Sequence, residues 1–395
     1  MNRAVSIDRA HNRVHAGVVL AVVALGCSRE PAVPATGSGP EALAPAPVAP
    51  LAEAPPPAPA AVVPEPTPLP VPPTPAAPEP ASLPAAPTDA AGLVDLLHAA
   101  FNAHDLSRVA ALHAEDAVLE TIGVPMPPVR GRAAIVAMGK VTFAGFPDAR
   151  LRARRVFDFG DVIAIQEVFS GTHDGTYMGK AATHKRASME ILRVLSWSGG
   201  QIRRVREYQN LTALLAQIGV LPAAAPPPPL PTLPPGPPEV VTGSAHEGVV
   251  TAVRRVVTAV MAPGVRGLAD AVAGDFAYHD FVEGRDYVGL EDNAKSLLAW
   301  RAAFSDLAIV AEEQWAAGAW VVTLSRITAK HTGDLGARLK ATGKVVVTHS
   351  ADVARVADGR QAEGWGYADP AELLIQLGAL PPVPTVPEPP RPTSP

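Results

Sequence analysis

The 395 residues include 45 prolines and only 5% aromatic side chains, so the part able to build a core is smaller than the length suggests. With 18% charged residues and a formal net charge of -5, the chain has no field to attract nucleic acid, and no run of Lys and Arg interleaved with aromatics offers a strand-binding surface.

The N-terminal residues carry Arg3, Arg9 and Arg13, then an apolar run over 16–25, then Gly26-Cys27-Ser28. This is the basic, apolar, small-residue order of an export signal, and the run is too short to cross a bilayer. Cys27 is the only cysteine, so no intramolecular disulfide can form. Val23-Ala24-Leu25-Gly26-Cys27 resembles a bacterial lipobox, with leucine at −2 instead of −3. Acylation of Cys27 would hold the chain at a membrane of the cell envelope; a cleaved, soluble secreted form fits the same order.

Residues 28–88 are almost entirely Pro, Ala, Val and Glu, a composition that predicts a disordered, polyproline II-rich tether. At ~3.1 Å per residue it reaches over ~100 Å. A second Pro-rich stretch over 223–239 reads as a linker, and 382–395 as a tail.

The segments between, 89–222 and 240–381, repeat one another. Gly131 recurs as Gly289, Phe146 as Phe304, Asp148 as Asp306, His173 as His331 and Gly219 as Gly378, an offset constant to within one residue. In the first copy Leu93, Leu96, Leu97, Ala100 and Phe101 recur at helical spacing, and Leu106, Val109 and Leu112 begin a second helix behind Asp105. Val249, Val250, Val253, Val256, Val257 and Val260 repeat that order, followed by Val265, Leu268 and Val272. Third helices are predicted over 133–140 and 291–300. Strands follow over 162–169, 187–195 and 201–208, and over 320–327, 344–356 and 361–367, with turns at Ser198-Gly199-Gly200 and Ala357-Asp358-Gly359. Helices followed by a meander of strands predict an α+β fold, with helices covering one face of a curved antiparallel sheet and a pocket between them.

The first copy contains Phe146-Pro147-Asp148, then Gly171-Thr172-His173-Asp174-Gly175, then Thr183-His184-Lys185, and closes on a leucine-rich helix. It resembles the ester-cyclase branch of the SnoaL-like polyketide cyclases, within the nuclear transport factor 2-like superfamily. The second copy keeps Phe304-Ser305-Asp306, His331-Thr332-Gly333 and Thr342-Gly343-Lys344, and reads as a degenerate member. The resemblance implies cone-shaped α+β barrels with a central apolar pocket, often dimeric through the sheet; two copies in one chain would form that dimer internally.

Such cyclases abstract a proton next to a carbonyl with a carboxylate on the last strand, behind a tryptophan. Those two positions are Arg206 and Glu207 in the first copy, and Trp365 and Gly366 in the second. Glu207 is therefore the candidate base, and the second copy lacks it. His173 is a second catalytic candidate that would orient a substrate oxygen, or else a turn histidine satisfying backbone groups. Glu120, Tyr208, His279, His331 and Trp365 are expected to line the pockets. Arg150, Arg152, Arg154 and Arg155 read as a solvated strand face, or as attraction for an anionic ligand or lipid headgroup. No metal motif and no phosphate-cradling glycine loop occurs, so neither metal nor other cofactor is expected. Two functions fit: a tethered protein that binds a small apolar oxygenated ligand, with cyclase or isomerase activity in the first copy, or a non-catalytic surface-tethered binding or assembly module.

Overall fold

The computed structural model describes residues 87–221, 229–336 and 339–380. The signal, Cys27 and most of the tether, with the tail over 382–395, lie outside the described residues.

The first copy opens with α1 (Ala90–Asn102), whose N-terminus is closed by Asp89 accepting a hydrogen bond from Gly92 N at 2.7 Å. Asp105 does the same for α2 (Leu106–Leu112), accepting from Arg108 N at 2.9 Å. Then follow β1 (His113–Ile122), β2 (Val129–Arg130), α3 (Arg132–Gly145), β3 (Arg150–Asp158), β4 (Val162–Thr172), β5 (Arg186–Ser198), β6 (Gln201–Gln209) and α4 (Leu211–Gln217). Where the linker meets the second segment the chain forms β7 (Glu239–Val241). The second copy repeats the order with α5 (Val249–Met261), α6 (Arg266–Ala271), β8 (Val272–Asp280), β9 (Arg285–Val288), α7 (Gly289–Ala303), β10 (Phe304–Ala317), β11 (Trp320–His331), β12 (Val345–Ala357), β13 (Arg360–Tyr367) and α8 (Ala371–Leu377).

The sheets run β2-β1-β6-β5-β4-β3-β7 and β10-β11-β12-β13-β8-β9. They are curved but mixed, and they do not close into barrels. The strand after the helical pair joins the far side of the last strand and runs parallel to it, as β1 does with β6 and β8 with β13. An antiparallel meander therefore accounts for only part of each sheet.

The apolar spacing of α1 has its cause in packing: Leu93, Leu97 and Ala100 bury against Ile163, Ile165, Leu195 and Ile202 of the first sheet. The opposite face of that sheet meets the second copy. Phe157, Ala164, Leu192, Val194 and Tyr208 form one cluster with Trp320, Val322, Leu324, Val353 and Tyr367. Strand β4, covered on both faces, is buried from Ile163 to Gly171.

Polar ties frame this contact. Gln166 Nε2 donates to Tyr367 Oη at 2.9 Å, Thr212 Oγ1 to Asp369 Oδ1 at 2.6 Å, and Asn210 Nδ2 to Val282 O at 2.8 Å. Arg206 pairs with Glu313. The Arg155 guanidinium stacks 3.9 Å from the centre of the Trp320 ring.

The described part of the linker also has partners. Arg152 donates to Pro234 O, Arg154 to Thr232 O, and Ser188 Oγ to Pro231 O, before β7 pairs parallel with β3. In the arginine row read as a solvated face or an anion-attracting strip, Arg150, Arg152 and Arg154 are exposed, the last two also holding linker backbone, while Arg155 pairs with Glu239 at 2.8 Å.

Trp320 is nearly buried against Phe157 and Arg155. Its replacement by alanine is expected to lower the unfolding free energy by about 3–5 kcal/mol, read from urea denaturation followed by circular dichroism.

Candidate functional site

In the second copy, α5, α6 and α7 and the facing sheet line a half-open cavity of about 370 Å³. Val253, Val256 and Val257 of α5, Leu268 of α6 and Trp300 of α7 make its apolar wall; Tyr278 and Asp280 of β8, Thr323 of β11 and Asp352 of β12 supply polar atoms. The apolar wall strengthens any hydrogen bond or charge contact inside, and it penalises any left unmade.

Two glycines place Tyr278. Along β13, Gly364 and Gly366 lie under its ring, and a Cβ at Gly366 would stand 2.0 Å from the Tyr278 hydroxyl. The hydroxyl donates to Asp352 Oδ1 at 3.0 Å, and Ser350 Oγ donates to Oδ2 at 3.2 Å. Asp280 Oδ1 accepts from the backbone N of Val282 at 2.8 Å and of Glu283 at 3.0 Å. Nearby, Tyr287 Oη donates to Glu283 at 2.6 Å, and His349 Nδ1 to Glu372 at 2.7 Å.

Burial raises the Asp352 carboxyl above its ordinary value, against the hydrogen bonds from Tyr278 and Ser350. Asp280 is pushed up to about 6, first by burial and then by the charge of Asp352, against its two backbone donors. Burial and the charge of Asp352 hold the Tyr278 hydroxyl well above its usual range.

The corresponding place in the first copy is occupied by charge. Arg193 Nη2 lies 2.9 Å from Glu207 and 3.1 Å from Glu167, while His98 Nε2 donates to Glu167 at 2.7 Å. Register relates the two interiors. Arg193 faces Glu207 across β5 and β6 as Asp352 faces Gly366 across β12 and β13. One strand further, Glu207 lies beside Thr121, whereas Gly366 lies beside Asp280. The carboxylate missing from β13 thus stands on the neighbouring strand.

These facts change the reading of Glu207. Its sequence neighbour Arg206 points away to Glu313, and the ion pair comes from Arg193 instead. Burial and Glu167 hold Glu207 above its ordinary value in spite of Arg193. Burial alone would raise Glu167 too, but Arg193 and His98 outweigh it and hold that group low.

The other predicted residues lie elsewhere. His173 is fully buried, with Nδ1 3.0 Å from Thr183 Oγ1; His331 repeats this with Thr342 at 3.1 Å. Neither borders the cavity. Both belong to a clamp on a helix end, where Asp174 and Gly175 N donate to Gly145 O, and Thr332 and Gly333 N to Ala303 O. A Cβ at Gly175 or Gly333 would fall within 2 Å of a helix carbonyl, at 1.8 and 1.9 Å. The glycine of this motif is therefore required by close backbone approach.

Glu120 leaves the interior to pair with Arg204 at 2.7 Å. Tyr208 packs between the copies, its hydroxyl pushed up to about 12, chiefly by burial. His279, held between Asp286 and Glu363, stacks on Trp365 with ring centres 5.2 Å apart, and both border a smaller space of about 300 Å³ between the copies. Sequence reasoning missed Tyr278, Asp280 and Asp352 as site residues; the Gly364-Trp365-Gly366 alternation was the available signal for a large side chain packed opposite.

The SnoaL-like polyketide cyclase family matches at 91–218 and again at 250–377, more than half of the chain, and the chain belongs to that family. Similar solved structures include a candidate hydroxylase of Streptomyces galilaeus, 25% identical over 34% of this chain and 83% of its own, with a TM-score of 0.31. A candidate polyketide cyclase of Streptomyces antibioticus is 29% identical over 32% of this chain and 96% of its own, with a TM-score of 0.29. A candidate SnoaL-like polyketide cyclase of a Jannaschia species is 20% identical over 33% of this chain and 91% of its own, at 0.31. No curated protein matches the sequence.

Replacing Arg193 with Met is expected to cost about 3–5 kcal/mol, because Glu167 and Glu207 lose their shared cation; urea denaturation measures it. For Asp280 the folded group binds its proton more tightly than the unfolded one. The stability this adds is complete below the ordinary value of 3.8 and is lost as pH rises through about 6. Asp280→Asn retains an acceptor for both backbone donors, so it is expected to flatten that loss and to gain about 1 kcal/mol at pH 7, read from melting curves across pH.

Proposed function

We propose that the second copy is the ligand-binding half of this chain, taking a small apolar molecule that carries a carbonyl, and that the first copy is its folded support. The observation behind this reading is the cavity whose apolar walls end on the Tyr278–Asp352 pair. A carbonyl oxygen seated beside Tyr278 would receive its hydroxyl hydrogen bond and release Asp352 from it. The Asp352 carboxylate then takes a proton from the adjacent carbon, the C–H electron pair moves toward the carbonyl carbon, and the oxygen takes up the charge beside Tyr278. Burial that raises the Asp352 pKa makes its ionised form a stronger base. Return of the proton at another position isomerises the ligand, and attack of the carbanion on a second carbonyl closes a ring.

In the same proposal the sheet-to-sheet contact of the two copies serves as an intramolecular dimer. The chain is exported and acylated at Cys27, with 28–88 as tether, a reading supported by the basic, apolar and Gly26-Cys27-Ser28 order of its N-terminus.

Trp300 borders the cavity and provides a fluorescence report of binding. Apolar cyclic ketones are expected to change that signal in the full chain and to exchange the hydrogen next to their carbonyl for deuterium, with exchange at least ~100-fold slower in Asp352→Asn. Undiminished exchange in that variant would remove Asp352 from the reaction. Absence of binding across the ketone panel would remove the ligand-site reading.

A further inference from the structure

Around the register positions just compared each copy places two carboxylates, but only the first supplies a cation between them; a third at the second copy's cavity, Asp369, is already held by Thr212 and the backbone N of Ala371. In the first, Glu167 and Glu207 share the Arg193 guanidinium, and His98 closes the far side of Glu167. In the second, the position of Arg193 is taken by Asp352 and that of Glu207 by Gly366, with Asp280 on the strand beside it. No lysine or arginine borders the cavity of about 370 Å³ among the described residues. Arg285, paired with Asp280 across β8 and β9, sends its guanidinium to Asp292 at 3.3 Å and over the Tyr287 ring at 4.2 Å, and its charge offsets only part of the rise at Asp280.

Asp280 is the more available carboxylate. Both backbone donors use its Oδ1, and Oδ2 receives no hydrogen bond from the described residues. Asp352 has both oxygens engaged, by Tyr278 and by Ser350. Burial holds both carboxyls above their ordinary values, a penalty that an incoming positive charge relieves. Aromatic rings line the same space, from Tyr278, Phe276 and Trp300, and they attract a cation through their faces.

We propose that the ligand of the second copy carries a protonated amine, seated on Asp280 beside Asp352 and filling the electrostatic role that Arg193 has in the first copy. The inference rests on the reading of this cavity as a ligand site and adds to it: besides the carbonyl beside Tyr278, the apolar, ring-sized ligand carries one ammonium centre. The valine wall of α5 takes the body, and the polar floor takes the charge. Specificity between charged and uncharged ligands of one shape then resides in Asp280 and Asp352.

The test compares 4-phenylpiperidine, a cation at neutral pH, with 4-phenylcyclohexanone, uncharged and nearly the same shape, titrated into the full chain at pH 7.5 by calorimetry and Trp fluorescence. The amine is expected to bind at least tenfold more tightly than the ketone. Asp280→Asn is expected to bring amine binding down to the affinity of the ketone, and Asp352→Asn to reduce the preference. Ketone binding equal to or tighter than amine binding overturns the proposal and leaves the ligand-site reading standing. An amine preference that survives unchanged in both variants also overturns it, by placing the cation elsewhere. Binding of neither compound overturns the ligand-site reading together with this one.

Discussion

The register between the last strand of each copy and its parallel neighbour governs what the interior of that copy contains. Side chains alternate faces along a strand, so positions held in register cannot leave the interior without a slip that would turn the whole strand over. Glu207 beside Thr121 and Gly366 beside Asp280 are therefore two fillings of one framework. The first brings a charge network that occupies its own centre. The second withdraws the side chain from β13, admits the Tyr278 ring over Gly366, and leaves open space under α5.

Burying charge and leaving space are both costly, and the sheet-to-sheet contact offsets them. Each sheet has helices on one face and the other copy on its second face, so strands such as β4 and β11 lose water from both sides. A cavity wall lacks the dispersion contacts of a packed core. In the second copy the wall helix α7 has only Ala303 fully buried, and the Trp320 and Tyr367 cluster anchors the sheet from behind. The filled copy thus provides a firm back to the open one.

Much of this fold was legible in the sequence, because apolar spacing reports burial directly. The helices α1 and α5, three of the strands in each copy, and the repeat itself follow from Leu and Val periodicity and from matched glycines. The parallel placing of β1 and β8 was not legible, since period two is the same for both directions of pairing. The site was less legible than the fold. A carboxylate sought at the position of Glu207 is absent from that position in the second copy, and nothing in one dimension says that Asp280 stands next to the gap. His173 and His331 drew attention as a motif, yet their constancy comes from a backbone clamp that needs glycine beside a helix carbonyl. Arg206 precedes Glu207 in the sequence, but adjacent residues on a strand point to opposite faces, and its partner is Glu313.

The strand formed where the linker meets the second segment carries one more consequence. Without β7, the outer backbone groups of β3 around Val156 would face water as an unpaired edge, the template on which foreign strands assemble. By laying Glu239–Val241 there, the chain spends part of its connection on sealing itself before it begins the second copy. The connection between the copies therefore also covers a stretch of strand edge that another backbone could otherwise pair with.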